Sequence, residues 1–302
     1  MTDRHNTTLH AAVREYLLEG RARQFTAPTI DHYRGCLGAF TRWAAEHDAA
    51  ALGDVTPSFL RAYLVHLQER GLASNTQHTH ARVLRAFLNF CQREGLIAES
   101  PFAKVKMPKA AKVDKPALAP GDVQKLVRAC DSARDLALLL VMLDTGVRVS
   151  ELCKLNVGDV DLDTLAVTVR QGKGRKDRTC YIGARTARAV SRYLGERLDT
   201  AAGAPLFLSE AQHNLDGRLS RSGVRRILEA LGKAAGVRGV HPHRLRRTFA
   251  VTCLRAGMDV YTLARLMGHS DIGTLRAYVA SIGDALQEAH GSVSPVDRML
   301  KR

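Results

Sequence analysis

The amino-acid sequence predicts a mainly α-helical protein with a small β-sheet, built from two separate regions of its 302 residues. Apolar side chains recur every three or four residues through most of residues 8–95 and again beyond residue 120, as in amphipathic helices. Between these regions the chain is rich in proline and lysine and has little apolar periodicity, which is typical of a linker. A passage near residue 170 alternates apolar and polar side chains, as half-buried strands do. We therefore expect a helical domain at 1–100, a linker at 101–119 and a larger α+β domain at 120–302.

The first region predicts four helices. Thr56 followed by Pro57 is a typical helix start, with a capping hydroxyl and then a proline at the first helical position. Glycines at 71 and 95 are typical helix stops. The helices are expected at 8–18, 26–47, 57–71 and from residue 74 or 75 to 95.

The second region predicts helices on both sides of a three-stranded passage. An apolar helix at 135–143 should be buried on most sides and end at Gly146. Strands are expected at 159–163, within 165–170 and at 178–182, the last two joined by a GKG turn. Further helices are expected at 122–130, 186–198, 222–235, 242–256 and 260–267, with a short one around Tyr278.

The charge of the chain indicates a polyanionic partner. Forty-five Lys and Arg against thirty Asp and Glu give a net charge of +15. Residues 1–107 hold 13 basic and 10 acidic side chains and residues 108–302 hold 32 and 20, so most of the excess lies in the second region. Side chains that neutralise phosphates release condensed counterions, which makes nucleic acid the first expectation. The alternative is a basic surface that only maintains solubility.

Cysteine spacing and hydropathy argue against several other classes. The six cysteines are scattered, with no CxxC motif and no nearby histidine pair, so neither a zinc site nor a disulfide framework is expected. The longest apolar run, 136–143, is too short to span a membrane, and the N-terminus is too polar for a signal peptide. We expect a cytoplasmic protein that does not contact a membrane.

A pair of cations marks the start of one predicted helix. Pro242 fits the first helical position, so His243 lies in the first turn and Arg246 follows one turn later on the same face. The free N–H groups of a helix N-terminus attract anions, and an imidazole and a guanidinium added there form a phosphate cradle. The alternative for this HxxR pair is a solvated helix face.

Arg148 lies in the segment LLLVMLDTGVRVSEL, directly after the buried helix. An arginine in such a turn does not easily reach bulk water and needs an anionic partner. In one interpretation the partner is Glu151, three residues on, and the pair is purely structural. In the other, Arg148 binds a phosphate oxygen and Glu151 orients the guanidinium from behind.

Three further side chains complete the candidate set. Lys173 lies at the tip of the hairpin VRQGKGRKDRTCYI, where it is either a solubilising charge or a proton donor to a departing oxygen; the P-loop pattern is not met. His269 lies in a Gly-His-Ser turn, and Tyr278 follows nine residues later. A phenol with a pKa of about 10 attacks phosphorus only where cations stabilise its ionised form. The alternative is a structural tyrosine.

The motifs TGVRVSEL, GKGRKDR, HPHRLRRTFA, LMGHSDIGT and RAY occur in this order. Together they resemble the motifs of the tyrosine recombinases, the phage integrase family, and most of all those of its Xer branch. The resemblance is strong over residues 116–280 and looser over the four N-terminal helices, which resemble the SAM-like core-binding domain of the family. It implies that a core-binding domain and a catalytic domain with a C-terminal tail form a clamp around DNA.

The resemblance also implies a role for each candidate residue. All six would act on one scissile phosphate: Arg148, Lys173, His243, Arg246, His269 and Tyr278. The two arginines would bind its oxygens with His269, and Lys173 would protonate the leaving 5′ oxygen. His243 would act as a hydrogen-bond donor or base, and Tyr278 would be the nucleophile that forms a 3′-phosphotyrosyl link. No metal, ATP or other cofactor is expected.

The resemblance further implies a site-specific DNA recombinase that works on double-stranded DNA as a homo- or hetero-tetramer. Arg247 stands where Xer enzymes commonly have histidine, and Val279 and Ala280 follow the tyrosine where they have Thr-His. Integration or excision of a mobile element is therefore as compatible with the sequence as resolution of chromosome dimers. Two alternatives use the same fold: DNA relaxation of the type IB topoisomerase kind, and a non-catalytic DNA-binding regulator.

Overall fold

A computed structural model of the chain describes residues 7–110, 116–170, 177–210 and 217–268. The chain divides into two compact units, with the boundary between Val113 and Asp114. The described residues of both units are mainly helical and include one sheet of three strands, so the predicted fold class is confirmed. In the same ranges no helix is long and apolar enough to cross a membrane. The short helix expected around Tyr278 lies outside the described residues.

The first unit contains the four predicted helices. They are α1 (Leu9–Ala22), α2 (Ala27–Ala45), α3 (Pro57–Glu69) and α4 (Ser74–Arg93). Threonine hydroxyls cap α1 and α3, because Thr8 and Thr56 each accept a hydrogen bond from the backbone N–H three residues later. The apolar stripes of α2 and α4 contribute to one core, in which Phe40 and Phe87 are fully buried.

The chain after α4 differs from the expected linker at one point. Pro101–Lys104 forms a 3₁₀ turn, and Phe102 and Val105 are buried in the core of the first unit. Arg61 of α3 donates to the carbonyl oxygen of Lys104 at 2.9 Å. The sequence pattern does not reveal this turn, because two apolar side chains in one short turn establish no helical period.

The second unit surrounds a central apolar helix, as the sequence predicts. The elements of the unit are α5 (Pro120–Arg128), α6 (Ala133–Thr145), α7 (Val149–Leu152), β1 (Val160–Asp161), β2 (Ala166–Val169), β3 (Arg178–Tyr181), α8 (Ala184–Gly195), α9 (Arg221–Ala234), α10 (Pro242–Arg255) and α11 (Val260–Met267). Helix α6 is buried along most of its length and packs against α8 and α10. The strands pair antiparallel in the order β1-β2-β3, and Val169 of β2 lies opposite Arg178 of β3. The one-turn helix α7 is not predicted by the sequence.

Gly146 ends α6 in the left-handed conformation, with φ of +58°. A side chain at this position would collide with the ring of Phe249 on α10. The glycine is therefore required for two reasons, the positive φ and the close approach of the end of α6 to α10. This approach brings the turn that carries Arg148 next to the helix that carries Arg246.

Replacement of Gly146 tests this account of the contact between α6 and α10. We expect Gly146→Ala to lower the free energy of unfolding by about 1–2 kcal/mol through the left-handed backbone, with about 1–3 kcal/mol more from overpacking against Phe249. The matched control is Gly236→Ala, because Gly236 also has a positive φ, +66°, but open space at the Cβ position. Urea unfolding of both variants measures the difference. Equal losses in the two variants would contradict the proposed collision with Phe249.

Candidate active site

Arg246 is held inside the second unit by main-chain oxygens. Its side chain leaves α10 one turn after Pro242, which occupies the first turn of that helix. The residue is 4% exposed, and its guanidinium donates to the carbonyl oxygens of Gly146 at 2.5 Å and Met267 at 2.8 Å. Arg246 thereby joins the end of α6 to the end of α11. The alternative interpretation, in which this arginine lies on a solvated helix face, is wrong for Arg246 because its side chain is buried.

Arg148 precedes α7, two residues after Gly146, and like Arg246 it contacts the end of α11. Its guanidinium donates to Oε1 of Glu151 at 2.8 Å and to the carbonyl oxygen of Gly268 at 3.3 Å. The backbone N–H of Arg148 donates to the other carboxylate oxygen of Glu151 at 2.8 Å. The predicted contact with Glu151 is present, and the Arg148 side chain remains 29% exposed. A side chain with that exposure is accessible to a ligand, whereas the Glu151 carboxylate, 7% exposed, is enclosed.

A third arginine, Arg178 at the start of β3, completes this group. Its guanidinium donates to both carboxylate oxygens of Glu151, at 3.1 and 2.7 Å, and its Nε donates to the carbonyl oxygen of Leu266 at 2.9 Å. The sequence does not single out Arg178, because it follows the charged hairpin RKD and resembles a surface charge. The alternation of side chains along the strand could have identified it, because Arg178 lies on the same face of β3 as the buried Cys180.

The C-terminal turn of α11 offers three successive carbonyl oxygens to the three arginines. Leu266 accepts from Arg178, Met267 from Arg246, and Gly268 from Arg148. The last carbonyls of a helix have no partner within the helix and carry the negative end of its dipole, so they favour cations. Gly268 ends the helix in the left-handed conformation, with φ of +63°. The position of α11 and the positions of all three guanidinium groups therefore depend on one another.

Glu151 is ionised in this environment. Burial alone would raise the pKa of its carboxyl group, but hydrogen bonds from Arg178 and Arg148 and the charge of Arg178 lower that pKa to about 2. One carboxylate thus stands between two guanidinium groups, and the cluster of Arg148, Glu151 and Arg178 keeps a net positive charge. A net positive, partly enclosed site suits an anion such as a phosphate.

The remaining predicted site residues differ in what the structure shows of them. His243 lies in the first turn of α10, exposed, three residues before Arg246. Lys173, His269 and Tyr278 lie outside the described residues. In the chain, Lys173 belongs to the connection between β2 and β3, and His269 directly follows Gly268. Among the described residues no group of His, Cys, Asp and Glu side chains is large enough to hold a metal ion.

Comparisons with known proteins match both units. Residues 116–283 match the model of the phage integrase family, and residues 8–107 match the phage integrase SAM-like domain. The tyrosine recombinase XerC of Bacillus pumilus is 33% identical over 293 residues, which cover 93% of this chain and 94% of that protein. The tyrosine recombinase XerA of Thermococcus kodakarensis is 32% identical, over 82% of this chain and 86% of its own length.

Solved structures share the fold at lower identity. A lambda integrase dimer bound to a COC′ core site superposes with a TM-score of 0.75 and 19% identity, covering 91% of this chain and 78% of that one. A crystal structure of XerA recombinase matches with a TM-score of 0.53 and 26% identity, over 95% of this chain and 99% of that chain.

The ionised state of Glu151 predicts a specific pH dependence of stability. Because its pKa is lowered from 4.5 to about 2 on folding, its contribution is present above pH 4.5 and is lost as the pH falls towards 2. We expect Glu151→Gln to lower the free energy of unfolding at neutral pH by on the order of 3 kcal/mol. The difference in the free energy of unfolding between this variant and the unmodified chain should become smaller as the pH falls from 4.5 towards 2.

Urea unfolding at a series of pH values measures this difference. The control is Glu196→Gln, which removes an exposed carboxylate 3.5 Å from Arg192 on α8 and should change stability little at any pH. A difference for Glu151→Gln that stays constant from neutral pH to pH 2 would show that the two arginines do not stabilise the ionised carboxylate.

Proposed function

The chain belongs to the phage integrase family, and on that premise we propose that it is a tyrosine site-specific DNA recombinase, which cleaves and rejoins strands through a 3′-phosphotyrosyl intermediate. The observation that carries this proposal is the meeting of Arg148 and Arg246 at the last turn of α11. From that turn the chain continues directly to His269 and then to Tyr278. The two relatives named tyrosine recombinase match 93% and 82% of the chain.

The proposed chemistry is a pair of transesterifications. The Tyr278 oxygen attacks the scissile phosphorus, the bond to the 5′ oxygen breaks, and Lys173 gives that oxygen its proton. Attack places additional negative charge on the non-bridging oxygens, and guanidinium donors of Arg148 and Arg246 stabilise it, together with His269. Each well-placed donor of this kind is worth about 2.7–4 kcal/mol in the transition state.

The second step reverses the first with a different strand. A 5′ hydroxyl of DNA attacks the phosphotyrosyl ester, and the phenol leaves. His243 assists both steps as a hydrogen-bond donor or as a base. As a base it accepts the phenol proton in the first step and returns it in the second, while Lys173 takes back the proton of the attacking hydroxyl. The phosphotyrosyl ester conserves the energy of the phosphodiester bond, so rejoining needs no ATP. Positive charge comes from side chains of the chain itself, which is why we propose no cofactor.

Double-stranded DNA at a specific recombination site is the proposed substrate. The net charge of +15 favours a phosphate backbone, and structural neighbours of this chain were solved with DNA, among them lambda integrase on a core site and XerH on a palindromic difH substrate. We propose that the SAM-like unit and the catalytic unit act together as a clamp on the duplex. Recombination between two duplexes further requires several protomers, and we propose a homo- or hetero-tetramer.

Two biological roles use the proposed chemistry: resolution of chromosome dimers, and integration or excision of a mobile element. Relatives named XerC and XerA are similar along most of the chain, whereas Arg247 and the residues after Tyr278 depart from the common Xer pattern. DNA relaxation and a non-catalytic regulator are not favoured, since the matched relatives are named recombinases. Sequencing of covalently trapped DNA would identify the recombination site.

Loss of the phenol tests the proposed nucleophile. We expect Tyr278→Phe to abolish covalent attachment to DNA while binding persists, because the variant lacks the attacking oxygen. The probe is a duplex library with a randomised centre, nicked at random so that cleavage beside a nick releases a short fragment and prevents rejoining. Denaturing gels detect attached DNA, and sequencing recovers the site.

The control for this variant is Tyr261→Phe, which changes an exposed tyrosine of α11. It should attach to DNA as the unmodified chain does. Covalent attachment by Tyr278→Phe, or none by the unmodified chain, would contradict the proposal.

Removal of either phosphate-binding arginine should affect the chemical step far more than binding. We expect Arg148→Ala and Arg246→Ala each to slow single-turnover attachment about 10²–10³-fold on the recovered duplex. Affinity should change much less, and the slope of log affinity against log salt should fall by about one for each lost phosphate contact. Exposed Arg192 on α8 offers Arg192→Ala as a control. Attachment at the unmodified rate by either variant would contradict these roles.

A further inference from the structure

Arg178 lies among the site residues but has no role in the proposed chemistry. Its side chain is 10% exposed, and its contacts point in two directions. On one side it binds both oxygens of the Glu151 carboxylate, and on the other it binds the carbonyl oxygen of Leu266 in the last turn of α11. Planar guanidinium groups are suited to such fixed, multiple contacts.

The contact of Arg178 with Glu151 determines how the Glu151 carboxylate binds Arg148. Each carboxylate oxygen accepts one hydrogen bond from Arg148 and one from Arg178. Arg178 therefore fixes the plane of the carboxylate, and the carboxylate fixes one edge of the Arg148 guanidinium. Without Arg178, a single arginine would face a single carboxylate, the pair would be neutral, and Arg148 would be drawn towards both oxygens. With Arg178, the three side chains carry a net positive charge next to the exposed part of Arg148.

The contact of Arg178 with Leu266 connects the cluster of Arg148, Glu151 and Arg178 to α11. Leu266 accepts from the Nε of Arg178 and also from the thiol of Cys180, so β3 holds the last turn of α11 through two adjacent side chains. A Cβ placed on Gly268 would lie 3.0–3.1 Å from the guanidinium of Arg178, which shows how closely the arginine packs against the glycine cap. The carbonyl oxygens of Met267 and Gly268 in that turn bind Arg246 and Arg148.

From these contacts we infer that Arg178 is a positioning residue for strand cleavage, which orients Arg148 through Glu151 and holds the end of α11 against β3. The inference rests on the proposed recombinase function and adds to it a residue that does not touch the DNA. A purely structural arginine would affect how much of the protein folds. A positioning arginine affects how fast each folded molecule reacts.

The test measures the rate constant and the final amplitude of covalent attachment on the recovered duplex, together with DNA affinity. For Arg178→Gln we expect the rate constant to fall about 10- to 100-fold, as is common when a residue that orients a reacting group is lost. Amplitude and affinity should change little. Arg178→Lys should recover part of the rate, because it restores the charge but cannot bind Glu151 and Leu266 together.

A double variant, Arg148→Ala with Arg178→Gln, tests whether Arg178 acts through Arg148. If it does, adding Arg178→Gln to Arg148→Ala should slow attachment by clearly less than the product of the two single effects, because the orientation of Arg148 is already lost and only the contact with α11 remains to be removed. The control is Arg192→Gln, which breaks an exposed ion pair between Arg192 of α8 and Glu196 and should leave the rate unchanged.

Three results would overturn the inference. They are an unchanged rate constant in Arg178→Gln, a loss confined to the amplitude, and effects that multiply in the double variant. If Arg178→Gln does not fold, Arg178→Lys decides, and an unmodified rate in that variant would overturn the inference. Each of these outcomes leaves covalent attachment by the unmodified chain intact, whereas failure of that attachment would contradict the recombinase function itself.

Discussion

The candidate active site depends on the last turn of α11, where three neighbouring carbonyl oxygens bind three arginines from distant parts of the chain. Buried guanidinium groups are costly unless their donors find acceptors, and the final carbonyls of a helix lack partners within it. The guanidinium donors and the helix carbonyl oxygens therefore satisfy each other's hydrogen-bonding capacity. This single arrangement brings together the turn after α6, the strand β3 and the helix α10, which carry Arg148, Arg178 and Arg246.

The balance of charge in this arrangement explains why it suits a phosphodiester. Glu151 is the carboxylate that Arg148 and Arg178 share, while Arg246 is bound by main-chain oxygens, so these four side chains carry a net positive charge. Main-chain oxygens orient a guanidinium without neutralising it. A phosphate that reaches Arg148 therefore meets preorganised positive charge, which is what a transition state with additional negative charge requires.

Much of the fold follows from local signals, whereas the site depends on long-range contacts. The threonine cap at Thr56 and the stop at Gly146 are visible in the sequence because each acts within one turn of helix. The pair of Arg148 and Glu151 is predictable for the same reason. Arg178 is not, because its partners lie 27 and 88 residues away and its own neighbourhood resembles a solvated hairpin. The burial of Phe102 is missed likewise, since a single 3₁₀ turn has no period to detect.

The way α11 is attached gives the arginines a second effect. Its buried side chains, Leu263, Ala264 and Met267, form a small apolar cluster with Phe249 and Ala250 of α10, separate from the main core around α6. A short helix with so small an apolar contact gains proportionally more from hydrogen bonds to its last turn. Any change in the three guanidinium groups therefore also changes how firmly the end of α11 is held. Because the chain passes from Gly268 straight to His269, the arginines that we propose bind the phosphate also hold the residue from which the chain continues to Tyr278, the proposed nucleophile.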